Sequence, residues 1–365
     1  MIKEGKFGSQ EAICLMTATI TIKVFYTSPS IVSGIVGTAG WYMTLISAAI
    51  AAIGFSFLYL LLKRFPGKDI IEIFEITLGR FYGFILSAML ALLMILIAVI
   101  RAREFTQVLK VNVLPLTPTT FILIIFIGAV VIQNFLGLEV MARFSKLIFY
   151  AMLFGFFIVL ILGQQNYSIH RLFPILGYGL DKTIYHGIIR SSAYGEVIIL
   201  GVFSASLQGN KYIKKAGYIS IILSSFFISI GLLAFNLTFP YYIATEVTSP
   251  MYEMATLIDY GEFLQRIEPI FLFIWSIGSL LSVSVVFYSF VSIYCKMFRI
   301  QDTKPVILSA SIIVFTLAIT KESISDVTFR NVQNLRDYGG LFFYIPPIIS
   351  LISAKLRKKR GTKDA

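Results

Sequence analysis

Runs of about 20 apolar residues recur along this 365-residue chain, separated by connections too short to hold a second kind of domain. A run of that length is what a helix needs to cross the hydrocarbon of a bilayer, where every backbone N–H and C=O must find its partner inside the segment. Punctuation by Gly, Pro and charge divides the runs at about 11–36, 40–62, 82–103, 118–135, 144–163, 187–207, 216–239, 268–294, 305–320 and 339–356. The pattern predicts an all-α polytopic membrane protein of about ten transmembrane helices, forming a single membrane domain over 1–365. Composition agrees, since 14% of residues are charged against roughly 25% in a soluble domain. The first run lacks a small-residue cleavage site followed by a soluble domain, so it reads as a retained span and not a signal peptide.

A formal net charge of +12 does not make this a nucleic-acid protein, because the Lys and Arg residues sit in loops between apolar runs, with no base-reading element beside them. With the N-terminus inside, twenty Lys and Arg fall on the cytoplasmic side, beginning with Lys3 and Lys6 and ending with the tail from Lys355 to Lys363. Ten fall opposite: Arg101, Arg103, Lys110, Arg171, Lys182, Arg190, Arg266, Lys321, Arg330 and Arg336. This bias predicts cytoplasmic N- and C-termini, with the basic tail 357–365 as the anchor and anionic lipid as a second role for it. Asp69 to Phe81 reads as an amphipathic cytoplasmic helix, with Ile70, Ile73, Phe74 and Leu78 at helical spacing. The outer stretch from Tyr241 to Glu268 carries Glu246, Glu253, Asp259, Glu262 and Glu268 against Arg266, and reads as a solvated connecting helix or a lid. Cys14 and Cys295 lie in apolar segments and read as packing residues. His170 and His186 share one outer loop, and there is no metal-spaced cluster, phosphate-cradling loop or Ser/His/Asp arrangement. No metal, no cofactor and no enzymatic activity are therefore expected.

Spans one and six are both interrupted and stand five spans apart. Paired interrupted helices in two halves are the mark of an inverted-repeat transporter with a midplane site, which sets the repeats at about 9–165 and 185–357. In span one, Pro29 should free carbonyls around Phe25 and Tyr26, next to Thr27 and Ser28. Lys23 lies about twelve residues into that span, roughly 18 Å at helical rise, too far in for its side chain to reach the surface. An ammonium there costs roughly 2.5 to 3.5 kcal/mol on insertion scales and needs a partner. Span six reads Arg190, Ser191, Ser192, Ala193, Tyr194, Gly195, Glu196, with Gly195 permitting unwinding and Glu196 as the acidic residue deep in a span. Lys23 and Glu196 hold matching positions, so either an ion pair or a bridge through a bound substrate satisfies both. Arg101 and Glu104, at i and i+3, read as a local pair or as gating residues. A hydrated ion path lined by Lys23, Glu196, Arg190 and hydroxyls, as in a channel subunit, is the alternative to a carrier.

Several strings in order resemble the spore germination permease family of GerAB/GerKB type. They are Ile100-Arg101-Ala102-Arg103-Glu104-Phe105, Leu114-Pro115-Leu116-Thr117-Pro118, Gly137-Leu138-Glu139 with Arg143-Phe144, Gly261 to Trp275, and Phe342-Phe343-Tyr344-Ile345-Pro346-Pro347. That family lies within the amino acid-polyamine-organocation transporter superfamily. The resemblance therefore implies a five-plus-five inverted repeat with broken helices one and six. It also implies a membrane subunit of a nutrient germinant receptor, or a related amino-acid transporter working by alternating access, in the bacterial inner membrane, including that of the spore. The implied partners are a small-molecule ligand such as an amino acid, the lipid bilayer and other receptor subunits. In such transporters the break in helix one is usually glycine-rich and offers bare amides to a carboxylate. Here the stretch is Lys23-Val24-Phe25-Tyr26-Thr27-Ser28-Pro29, and Lys23 is the group that would replace the amides as a point charge. The helix-six motif matches better: Gly195 for the break, Tyr194 for the pocket wall, and Glu196 to accept a substrate amine or a proton.

Overall fold

The computed structural model describes residues 5–261, 267–319 and 324–361; Lys3, Glu262, Arg266, Lys321 and Lys363 lie outside them. Local chemistry sets the first elements. Helix α1 spans Ser9–Thr21 and tightens into a 3₁₀ turn at Ile22–Phe25. Tyr26 then leaves the helix with φ −90° and ψ −163°, and α2 begins at Ser28–Val36. Pro29 sits in the first turn of α2, where its missing N–H has no intrahelical partner to lose. The proline thus starts the second half of the broken helix. A turn at Gly37–Ala39 leads into α3, Gly40–Arg64. A Cβ placed on Gly40 would come within 2.6 Å of Val32. Eight residues along a continuous helix would put those positions about 12 Å apart, so α3 doubles back across α2.

Helix α4, Ile70–Leu78, forms as its periodicity predicts, with Ile70, Ile73 and Phe74 buried. Asp69 is its N-cap, accepting from the backbone N–H groups of Ile71 and Glu72 at 2.9 Å. Its second carboxylate oxygen lies 3.3 Å from Lys296 Nζ, which ties α4 to a distant part of the chain. Next come α5 (Arg80–Asn112), α6 (Thr119–Leu136) and α7 (Leu138–Leu162). The sixth span is α8 (Leu180–Ile189), a 3₁₀ stretch at Arg190–Ile198, and α9 (Ile199–Val202). It is followed by α10 (Asn210–Thr238), two short helices α11 (Tyr241–Ala244) and α12 (Pro250–Thr256), then α13 (Glu268–Phe298), α14 (Lys304–Ile319) and α15 (Ile324–Leu356). Among the described residues no β-strand forms.

Seven helical stretches among the described residues are long and apolar enough to cross a membrane, as in a multi-pass membrane protein. The segments around the two breaks are short because they are broken, and α14 has 16 residues. Large apolar side chains on the outward faces of α6 and α14, among them Phe121, Ile125, Ile132 and Ile312, are exposed in the way only lipid can cover. Two spans run further than their apolar cores suggest. Helix α5 continues past 103 to Asn112, and α15 begins well before 339, so Arg101, Glu104 and Arg336 belong to helix interiors. Inside, α1 packs on α7, α10 and α13, while the 3₁₀ stretch of the sixth span packs on α3 and α15. The two breaks therefore meet at the middle of the bundle.

Both ends of the described chain share one end of the bundle. Phe7 N–H donates to Ser206 C=O, Ser204 Oγ to Lys68 C=O, and Arg64 Nε to Lys359 C=O at 2.6 Å. The Asp69 link helps to hold this end together. We expect Asp69→Ala to lower stability by about 2 to 4 kcal/mol, part from the cap and part from the ammonium deprived of this carboxylate. Asp69→Asn should recover the capping share. Thermal melting in detergent checks this, and equal melting of the two variants would contradict the cap.

Candidate functional site

Lys23 lies on the 3₁₀ turn that ends α1, with 4% of its surface exposed, and Glu196 lies on the 3₁₀ stretch of the sixth span with none. A 3₁₀ run as long as Arg190–Ile198 is uncommon, because its hydrogen bonds are poorly aligned, and such runs mark hinges. Lys23 exploits this by donating to the carbonyl of Ala193 and by approaching Glu196 Oε2 to 2.5 Å. The two charges form a direct ion pair across the breaks.

Glu196 has further partners. Arg101 Nη2 stands 2.7 Å from Glu196 Oε1, and its Nη1 donates to Ser282 Oγ at 2.6 Å. Arg336 Nη1 is 3.9 Å from the same Oε1. Arg101 therefore does not form the local pair expected from its i, i+3 spacing with Glu104. Glu104 instead accepts from Thr27 Oγ1 at 2.7 Å, just past the break in helix one. It is a second buried carboxylate, so Glu196 is not the one acidic group deep in a span. The cause is the length of α5: its continuation beyond 103 keeps both residues inside the bundle, Arg101 toward α13 and the sixth span and Glu104 toward the break in helix one.

The remaining expected residues divide in two. Ser28, Tyr194 and Arg190 join Lys23, Arg336 and the apolar Leu232 around a cavity of about 30 Å³, room for a water. Tyr26 and Thr27 face away from that cavity: Tyr26 packs edge-on against Trp275 at 5.5 Å between ring centroids, and Thr27 is engaged by Glu104. Ser191 and Ser192 serve as ties to α15, since Tyr344 OH donates to Ser191 C=O at 2.8 Å and Ser192 Oγ donates to Arg336 C=O at 2.6 Å. Arg190 pairs with Asp337 at 3.2 Å. Gly195 is needed for close approach and not for left-handed backbone, for a Cβ there would lie 2.0 Å from the Phe343 ring. Arg336, Asp337 and Ser282 are the site residues the apolar runs did not reveal. The signal was present in the period, because Arg336 and Phe343, seven apart, share the helix face that meets Gly195.

The acidic stretch after α10 is more than a solvated connector. Met251, Met254 and Ala255 of α12 are buried, and α12 packs against the 3₁₀ turn that carries Lys23. Ser30 Oγ, just past the break, donates to Val247 C=O at 2.5 Å, and Asn112 Nδ2 donates to Ser249 Oγ at 2.9 Å. This segment caps the site at the end of the bundle opposite the termini.

Known proteins fit this geometry. A family model described as spore germination protein matches residues 9–327. Spore germination protein KB of Bacillus subtilis (strain 168) is 23% identical over 341 residues, covering 90% of each chain. Among solved structures, the nucleobase-cation-symport-1 family transporter Mhp1, in a closed conformation with bromovinylhydantoin bound, superposes with a TM-score of 0.65 at 13% identity, over 93% of this chain and 78% of that one. A variant of the Eremococcus coleocola manganese transporter gives a TM-score of 0.61 at 14% identity, over 97% and 82% of the two chains. At such identities the likeness speaks for a shared fold alone.

The charge cluster makes an ordered expectation. Glu196→Gln leaves Lys23, Arg101 and Arg336 around a neutral group and should cost about 3 to 5 kcal/mol or more. Lys23→Met leaves Glu196 still held by Arg101 and should cost less. In the double variant the losses should fall short of their sum by about 0.5 to 3 kcal/mol. Melting of the three proteins tests this, and simple additivity would contradict a direct pair.

Proposed function

Since the chain belongs to the spore germination permease family, we propose that it binds a small nutrient, an amino acid or a close relative, in the charged centre between its two broken helices. It acts as the membrane subunit of a germinant receptor, together with other receptor subunits, in the bacterial inner membrane including that of the spore. The two halves, about 9–165 and 185–357, form a five-plus-five inverted repeat of ten spans. Both termini are cytoplasmic, and the repeats rock about the site in alternating access.

The observation that carries this reading is the meeting of Lys23, on the first break, with Glu196, on the second, at 2.5 Å with both groups buried. Opposite charges are expensive in a membrane and are kept where a pathway needs them. The uncompleted backbone at each break supplies the hinge, and Ser192 and Ser191 pass any movement of the sixth span to α15. The surroundings are closed, with α12 above and a water-sized cavity beside Lys23. Such closure on both sides supports the reading of an occluded carrier.

A ligand that binds only the folded state stabilises it by about 2.7 kcal/mol at one hundred times its Kd. Purified protein should therefore melt higher in the presence of at least one member of an amino-acid panel, and proteoliposomes should exchange the same compound when labelled. Currents through planar bilayers that persist without any ligand, or a panel with no effect on melting, would overturn this function.

A further inference from the structure

The charges in the site do not balance. Lys23, Arg101 and Arg336 face Glu196 and Glu104, which with every group ionised leaves one positive charge in excess. Arg190 and Asp337 do not correct this, because they pair with each other. The hydrogen bonding is lopsided in the same sense. Among the described residues, Arg336 Nε and Nη1 and Arg101 Nε are buried without a hydrogen-bond partner. An arginine cannot shed its proton to relieve the cost of a buried donor left without an acceptor. The carboxylates, by contrast, are engaged. Glu196 gives one oxygen to Lys23 and the other to Arg101, and Glu104 Oε1 takes the Thr27 hydroxyl.

A zwitterion would add equal charge of both signs and leave the excess in place, and its ammonium would meet carboxylates already engaged. A carboxylate corrects both deficits at once. On the function proposed above, we infer that Arg336, with Arg101 beside it, is the receptor for the carboxylate of the ligand. The ligand class is small organic monoanions for which an amine is dispensable, such as 2-hydroxy acids. The planar guanidinium fork matches a carboxylate with two parallel bonds, which a lysine ammonium cannot do. Arg336 lines the small cavity with Val24, Val32 and Leu232, which suit a short aliphatic chain. Its backbone carbonyl is held by Ser192 of the 3₁₀ stretch, so enlargement of the cavity at the break moves the arginine as well. The ligand supplies the missing negative charge and thereby draws α15 and the break together.

The test uses the full chain in detergent with matched triplets: an amino acid, the 2-hydroxy acid of the same side chain and the amino-acid amide, for example alanine, lactate and alaninamide, extended across the common side chains. Binding is read from melting shifts and titration calorimetry. The hydroxy acid should bind within about tenfold of the amino acid or better, and the amide about 100-fold more weakly, the range of a lost charge-assisted pair. Arg336→Gln should melt no lower than the parent, since an under-paired buried cation is gone, yet lose the preference for acid over amide. Arg336→Lys should keep part of it. A purely structural Arg336 would lower the melting temperature and leave the preference intact, which overturns the inference. Should Arg336→Gln fail to fold, the triplets on the parent protein decide. Amides that bind as well as acids overturn the inference while leaving the proposed function standing, whereas triplets with no effect at all overturn both. Chloride alone giving the full shift and shutting out the acids would assign the arginines to an inorganic ion and overturn it too.

Discussion

A carboxylate with no access to water must be surrounded by cations, and Glu196 gathers them from three other parts of the chain. Lys23 comes from the break that ends α1, Arg101 from the interior of α5 and Arg336 from α15. Each of these helices is otherwise apolar enough to slide against its neighbours with little penalty, because lipid solvates their faces as well as protein does. The ionic contacts are what fix their register around the centre. Bare carboxylate in such a place would cost several kcal/mol, so Glu196, Lys23 and Arg101 require one another, while Arg336, at 3.9 Å, is the under-paired member of the cluster.

The broken helices follow from the same requirement. Irregular backbone at membrane depth persists only where protein or enclosed water satisfies it. Here the Ala193 carbonyl is met by the Lys23 ammonium, the Ser191 carbonyl by Tyr344, and the Thr27 and Ser30 hydroxyls past the other break by Glu104 and Val247. The side chains that stabilise the breaks are thus largely the side chains of the site. Bringing a charged ligand into this cluster must alter the contacts that hold the breaks closed, which gives binding a direct mechanical outcome. The α12 segment packs across the first break at the same point.

Much of this was legible in the residues alone, for a definite reason. A charge inside an apolar run is conspicuous, so Lys23 and Glu196 stood out, and the two interruptions lay at corresponding positions. The amphipathic helix α4 announced itself by its period. Other features were hidden because a string shows proximity along one helix and not across several. Arg101 and Glu104 looked like a local pair, yet each turns to a different helix. Arg336 looked like part of an outer loop because Arg330, Asp337 and the amides around them dilute the apolar run, although none of those residues stops a helix. Gly195 read as permission to unwind, and its second service, room for Phe343, could not be seen in the string. The outer acidic stretch looked solvated because its buried face is only Met251, Met254 and Ala255, too brief to read as a period.

The central claim is that the ligand occupies the charged centre where the two breaks meet. Ligand protection of single cysteines tests it most directly, in a background where the buried Cys14 and Cys295 are replaced by alanine. Ser28→Cys and Ala193→Cys line the cavity from the two sides of the meeting point, and Thr316→Cys on α14 is a distant control. A nutrient that raises the melting temperature should slow thiol labelling at the first two positions and leave the third unchanged. Labelling of Ser28→Cys and Ala193→Cys that is indifferent to a bound nutrient would contradict the claim.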